Sequence, residues 1–195
     1  MDKSSISPEE SFQLIAKTIQ ETKKRFEDNG HLFIFWGLIM FVVCLSQFVL
    51  IQLELYSIHW YPNFLYPLGA IYTFFYAFNK YKKKKMPSNL IGNILASLGW
   101  MLGLNLMILG FFFSNKLGEA IAPVFLIFMA FFICISGVTV KYKPLIWGGI
   151  LLNLIGLATF YFEWQYHPLI MAVGSVVALI IPGILLNNKR KRADV

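Results

Sequence analysis

The side chains of this chain that could carry a reaction or hold a ligand fall into three small sets. Four amides, Gln47, Asn93, Asn105 and Asn153, lie inside long apolar stretches. An amide in an apolar medium needs a partner, so these four are candidates either for an internal polar site or for glue between helices. Two histidines, His59 and His167, fall with Glu54 and Glu163 at the ends of such stretches. A divalent ion could use them, but neither histidine belongs to a short ligand motif. The third set is Lys80–Lys85, with five lysines in six positions. No Asp, Glu, Lys, Arg or His stands near the middle of an apolar stretch, where proton-coupled carriers, voltage sensors and intramembrane proteases usually place them. Walker loop, dinucleotide fingerprint, HExxH and GxSxG are all missing from the sequence. The expectation is therefore no catalytic residue, no cofactor and no metal site.

The elements that carry these residues are read from hydropathy. Of the 195 residues, 57% are hydrophobic and only 14% charged, well under the roughly 25% of a soluble domain. Six apolar segments follow one another: Leu32–Leu53, Asn63–Phe78, Leu90–Phe113, Ala120–Val140, Leu145–Phe162 and Leu169–Leu186. A helix needs about 20 apolar residues to cross the hydrocarbon core, and lipid accepts helices rather than open sheets. The predicted fold is all-α: a polytopic bundle of six transmembrane helices with an N-terminal amphipathic helix. Its parts are a cytoplasmic tail over residues 1–30, the transmembrane domain over 31–187 and a basic cytoplasmic tail over 188–195.

Charge orients the bundle. With the N-terminus inside, the inner segments carry clusters of five, five, two and four basic residues, and only Lys116 of the 17 falls outside. The opposite orientation would reverse the positive-inside bias, so both termini are expected in the cytoplasm. Tyr56, Trp60, Tyr61, Trp164 and Tyr166 would form the outer aromatic belt, and Trp36, Tyr81, Tyr142 and Trp147 the inner one. Trp100 falls mid-segment and is expected between helices. The two cysteines, Cys44 and Cys134, lie in apolar segments and imply packing rather than a disulfide.

Local signals refine this plan. Ser7, Pro8 and Glu10 form a capping box with proline at the first helical position. Phe12, Ile15, Ile19 and Phe26 then share one face of a helix over residues 8–29, placed on the membrane surface or against the bundle, with Asn29–Gly30 as its stop. Gly92, Ala96, Gly99 and Gly103 line one side of the third segment, and Gly99 with Gly103 forms a GxxxG pair suited to close approach or to a homo-oligomer. Pro67–Gly69 and Pro182–Gly183 are expected to bend their helices. Similar boundary residues near Trp36, Trp147, Pro62 and Pro168 suggest three stacked hairpins, although boundaries in a membrane repeat in any case.

Asp28–Asn29–Gly30 leading to Trp36–Gly37, then Lys143–Pro144–Leu145–Ile146–Trp147–Gly148–Gly149, and Ile181–Pro182–Gly183–Ile184–Leu185–Leu186 before a basic tail, together resemble an uncharacterised family of small six-span integral membrane proteins of Bacteroidota-type bacteria. The resemblance implies the bacterial cell inner membrane and the same six-helix layout. It brings no activity, cofactor or catalytic residue. The residues themselves suggest a non-enzymatic scaffold, sensor or regulatory subunit. The alternative is a transporter or channel for a small neutral or weakly polar solute, lined by Gln47, Asn93, Asn105 and Asn153. A third option is an enzyme acting on lipid through His59, Glu163 and His167. No nucleic-acid partner is expected, since the basic residues flank apolar segments.

The lysine run exceeds what orientation requires, because the other basic clusters already agree. Lys82, Lys83, Lys84 and Lys85 are therefore candidate contacts for anionic headgroups. Replacing these four with Gln should leave the topology intact and weaken binding to anionic vesicles, by about 1 kcal/mol per residue near the surface. A vesicle sedimentation assay measures this, and unchanged binding would leave the run as a topology signal alone.

Overall fold

A computed structural model describes residues 7, 9–10, 12–18, 30–83 and 90–193. These residues are helical without any strand, as expected of a chain whose apolar segments must satisfy their own backbone. Six main helices result: α1 (Gly30–Gln52), α2 (Leu65–Lys83), α3 (Leu90–Phe112), α4 (Ile121–Thr139), α5 (Lys143–Thr159) and α6. α6 is composite, with an α-helical turn set His167–Ser175, a π segment Val176–Ile180 and a final α-helix Ile181–Ala193. Four stretches are long and apolar enough to cross a membrane: His31–Gln52, Ile91–Phe112, Ser114–Thr139 and Trp164–Asn188. α5 is apolar but has only 17 residues.

At the start of the chain the capping box is present. Ser7 N–H donates to Glu10 Oε2 at 2.9 Å, and Glu10 N–H donates to Ser7 Oγ at 3.1 Å. Residues 9–10 and 12–18 are helical, with Phe12 and Ile15 exposed. Ile19, Phe26 and Asn29 of the expected Asn29–Gly30 stop lie outside the described residues. Gly30 opens α1.

The core is built on glycine. A Cβ at Gly149 of α5 would lie 2.7 Å from the Cys134 amide nitrogen of α4, and one at Gly137 of α4 would lie 2.7 Å from the Ile146 nitrogen. At Gly156 it would meet the Ile127 nitrogen at 3.2 Å. Along this seam the partner numbers fall as fast as the others rise, so α4 and α5 run antiparallel in one register. The same logic joins α1 to α6, where Gly37 faces Ile180 and Gly183 faces Ile34. It also joins α5 to α6, where Gly148 faces Ala178 and Gly174 faces Leu152. Leu126, Ile133, Leu145, Leu152 and Leu186, all fully buried, fill the space between these seams. The closest backbone contact, α4 with α5, thus joins helices from two different members of the expected three hairpins.

The prolines act differently from one another. Pro67 is the third residue of α2, where backbone N–H groups have no helical partner anyway, so it starts the helix rather than bending it. Pro182 falls just after the π segment. Its ring would clash with the Ala178 carbonyl in a regular helix, and the widened turn accommodates it. α1 and the α4 helix each close in the same way. Leu55 N–H reaches Leu50 O and Glu54 N–H reaches Ile51 O; Tyr142 N–H reaches Gly137 O and Lys141 N–H reaches Val138 O. This is the Schellman pattern, with Glu54 (φ 59°) and Lys141 (φ 52°) at the left-handed position glycine usually fills.

The glycine register has a direct test. Gly149→Ala must push the α4 backbone and should cost about 1–3 kcal/mol. Gly103→Ala, with nothing within 4 Å of the added Cβ, should be neutral or gain up to about 1 kcal/mol of helix propensity. Thermal unfolding of both variants in one detergent makes the comparison, and equal effects would refute the register.

Candidate functional site

Helix α2 is held to α1 by polar side chains rather than by backbone approach alone. On α1, Trp36, Cys44 and Gln47 fall on one stripe at helical spacing. On the other side stand Thr73, Tyr66 and Asn63, the last in a 3-10 turn, Tyr61–Phe64, that leads into α2. Trp36 Nε1–H donates to Thr73 Oγ1 at 3.1 Å, and that hydroxyl donates in turn to Gly69 O at 2.8 Å. Cys44 Sγ and Tyr66 Oη share a hydrogen bond of 3.8 Å. Gln47 Nε2–H donates to Asn63 Oδ1 at 2.9 Å. At one end of the ladder the rings of His31 and Tyr76 meet edge to face at 4.8 Å. From His31 to Gln47 is 16 residues, or about 24 Å of helix axis. The ladder therefore runs along most of α1.

Three features make this arrangement possible. Gly69 lets α1 come close, since a Cβ there would lie 2.7 Å from Ile39 Cδ1 and 3.2 Å from Trp36 Cη2. Thr73 can both accept and donate, so one hydroxyl satisfies the indole and itself. Gln47 and Asn63 each bring an amide, which can donate and accept at once. The chemistry available is neutral hydrogen bonding, which positions α2 and fixes its register on α1.

The four amides named from sequence do not converge. Gln47 is committed to Asn63. Asn153 is half-buried on α5. Asn93 and Asn105 are exposed on α3, and Asn105 Nδ2–H donates to the Met101 carbonyl of its own helix at 2.7 Å. Of the glycine pair, Gly99 is covered by the Phe132 ring of α4, which an added Cβ would meet at 3.1 Å, and Gly103 is open. Half of that expected dimer motif is thus used inside the protomer. Lys84 and Lys85, and the side chains of Lys82 and Lys83, lie outside the described residues.

At the other end of the bundle, His59 Nδ1 lies 2.6 Å from Tyr56 O and buried His167 Nε2 lies 2.9 Å from Phe162 O. Glu163 Oε2 accepts from Gln165 Nε2–H. Among the described residues no three His, Cys, Asp or Glu side chains gather as a metal site. Tyr56 and Trp164 bring the two loops together at 6.1 Å. Trp100 is 40% exposed and meets Phe74 edge-on.

Sequence reading missed Asn63, Tyr66 and Thr73. The signal was faint: Tyr66 and Thr73 share one side of α2 and Asn63 stands just before it, but each is ordinary for an apolar segment. It also missed Ser136, whose fully buried hydroxyl has no partner among the described residues.

A double-mutant cycle on Gln47→Leu and Asn63→Leu should show a coupling of about 0.6 kcal/mol, and no more than about 1.7. Zero coupling in detergent unfolding would mean that the ladder does not hold α2. Comparison of the chain with protein-family models, with curated proteins and with solved structures finds no match.

Proposed function

We propose that the chain is a six-span protein of the bacterial inner membrane, with both termini cytoplasmic, and that it acts as a non-enzymatic assembly component: a scaffold, sensor or regulatory subunit. Four helices have the length to span. α5 is clamped between α4 and α6 along most of its length, and α2 is tied along α1, so neither can leave the layer that its neighbours occupy. Six crossings place both ends on one side. The basic clusters make that side the cytoplasm by the positive-inside bias. The exposed Phe12 and Ile15 on the capped N-terminal helix suit the membrane surface there, the same side on which Lys82–Lys85 would attract anionic headgroups.

One observation carries the assembly reading. Only 6% of the apolar window of α3 is buried within the protomer, against 28%, 39% and 44% for the other three candidate spans. A helix packed on so little of its own chain, and bearing exposed Asn93, Ser97 and Asn105, is built to meet something else. The carrier reading would need the amides to share a lining, and they face separate surroundings.

Crosslinking in the native membrane before extraction tests this. A species well above the 22.4 kDa of one chain is expected. A strict monomer with nothing attached, seen both in the membrane and after purification, would sink the assembly reading.

A further inference from the structure

The outward face of α3 says what sort of partner fits. Gly99 and Gly110 face α4, under the rings of Phe132 and Phe125. Trp100 faces Phe74 of α2, and Phe111 faces Phe64 of the 3-10 turn that leads into it. At about 100° per residue, the next positions, Met101 and Phe112, turn away from both neighbours. Ile94, Leu98, Met101, Asn105, Ile108 and Phe112 make up that stripe, and every one is exposed. Their spacing alternates four and three, which is the heptad seam of a helix pair, with Asn105 at an a position. Asn105 stands about 5 Å from the midpoint of the apolar window Ile91–Phe112.

We infer that two copies of this chain associate in parallel through this seam, with Asn105 hydrogen-bonded to its counterpart across a two-fold axis along the membrane normal. The inference rests on the assembly reading and names its partner. A two-fold axis brings residues of the seam onto their own copies, so the central residue must be self-complementary. An amide meets that condition, because it donates and accepts. One Nδ2–H of Asn105 is spent on Met101 O; the second N–H and a lone pair on Oδ1 serve the partner. The seam holds no charge to repel a second copy, and the shared topology keeps the two helices parallel. A single polar residue at an a position is also the device that fixes register and pair number in parallel two-stranded coils. On the flanks, Ser97 and Leu104 on one side are exposed, whereas Leu95, Leu102 and Leu109 on the other turn toward the protomer.

Single cysteines at Ile94, Ile108 and, as control, the exposed Leu154 of α5, each in a Cys44→Ala, Cys134→Ala background, test the geometry in reconstituted vesicles. Oxidation should link chains at Ile94 and Ile108 and leave Leu154 unlinked. If the background variant fails to fold, the full-length chain with its own cysteines answers by energy transfer between labelled copies. Asn105→Ala should weaken association about three- to tenfold, and Asn105→Gln should restore it. Dimers linked through Leu154 but not through the seam would overturn this inference and keep the assembly reading. A chain monomeric in vesicles but bound to a different membrane protein in its native membrane would do the same. A chain monomeric in both would overturn both.

Discussion

The structure depends first on the contact between α4 and α5, where backbone meets backbone. In the membrane proposed for this chain, lipid is as apolar as leucine, so burying side chains gains little and van der Waals contact at short range must do the holding. Gly149 against Cys134 and Gly137 against Ile146 bring the two chains closer than any side chain would permit. Once that register is set, Gly148 and Gly174 seat α6 on α5, and Gly37 and Gly183 seat α1 on α6. Four helices thereby form a nucleus whose relative positions are fixed by sterics, with the fully buried Leu126, Ile133 and Leu152 as filling.

The remaining two helices are attached by other means. α2 uses the Trp36–Thr73, Cys44–Tyr66 and Gln47–Asn63 pairs, which set register through directional bonds. α3 uses aromatic rings laid over glycines, Phe132 on Gly99 and Phe125 on Gly110. The ring contacts to α3 on this side are Phe74 of α2 with Trp100 and Phe64, just before α2, with Phe111. Packing thus grades from backbone contact at the centre to ring contact at the edge. The proposed interaction role suits that edge, where a surface can be presented without disturbing the nucleus.

Much of this was legible in the sequence, for identifiable reasons. Hydropathy located the six main helices among the described residues, four of them in stretches long and apolar enough to span a membrane, and the Ser7–Glu10 box appeared as spelled. The glycines that matter most were not picked out. Gly137 and Gly149 pair across two helices, and the register between helices is absent from the spacing within one. Gly99 and Gly103 did show a spacing, but a common one, and Phe132 occupies half of it. The ends at Glu54 and Lys141 were hidden because glycine, the usual marker of a left-handed cap, is missing from both. Lys141 gives a reason for the exception: a cation at a helix C-terminus meets the negative end of its dipole, and it adds to a basic cluster on the proposed cytoplasmic side. The amides were found by type, but their partners were not, since a partner is a matter of which helix lies opposite.

The rotation of α3 about its own axis connects the inner packing to the outer face. Gly99 and Gly110 are eleven residues apart, close to three turns, so both lie on one line and both carry a ring from α4. Two contacts on one line fix the phase of a helix; one would leave it free to turn. With the phase fixed, the positions two residues further on must face outward, and Asn105 belongs to their stripe. A turn of the helix by half a circle would bury the amide against α4, where Phe125 and Phe132 offer it no hydrogen bond. It would also press Met101 and Phe112 where the present fit requires no side chain at all. The glycines of α3 therefore do not act by inviting a partner to their own face. They seat the helix on α4, and so determine which residues are left exposed on the opposite face.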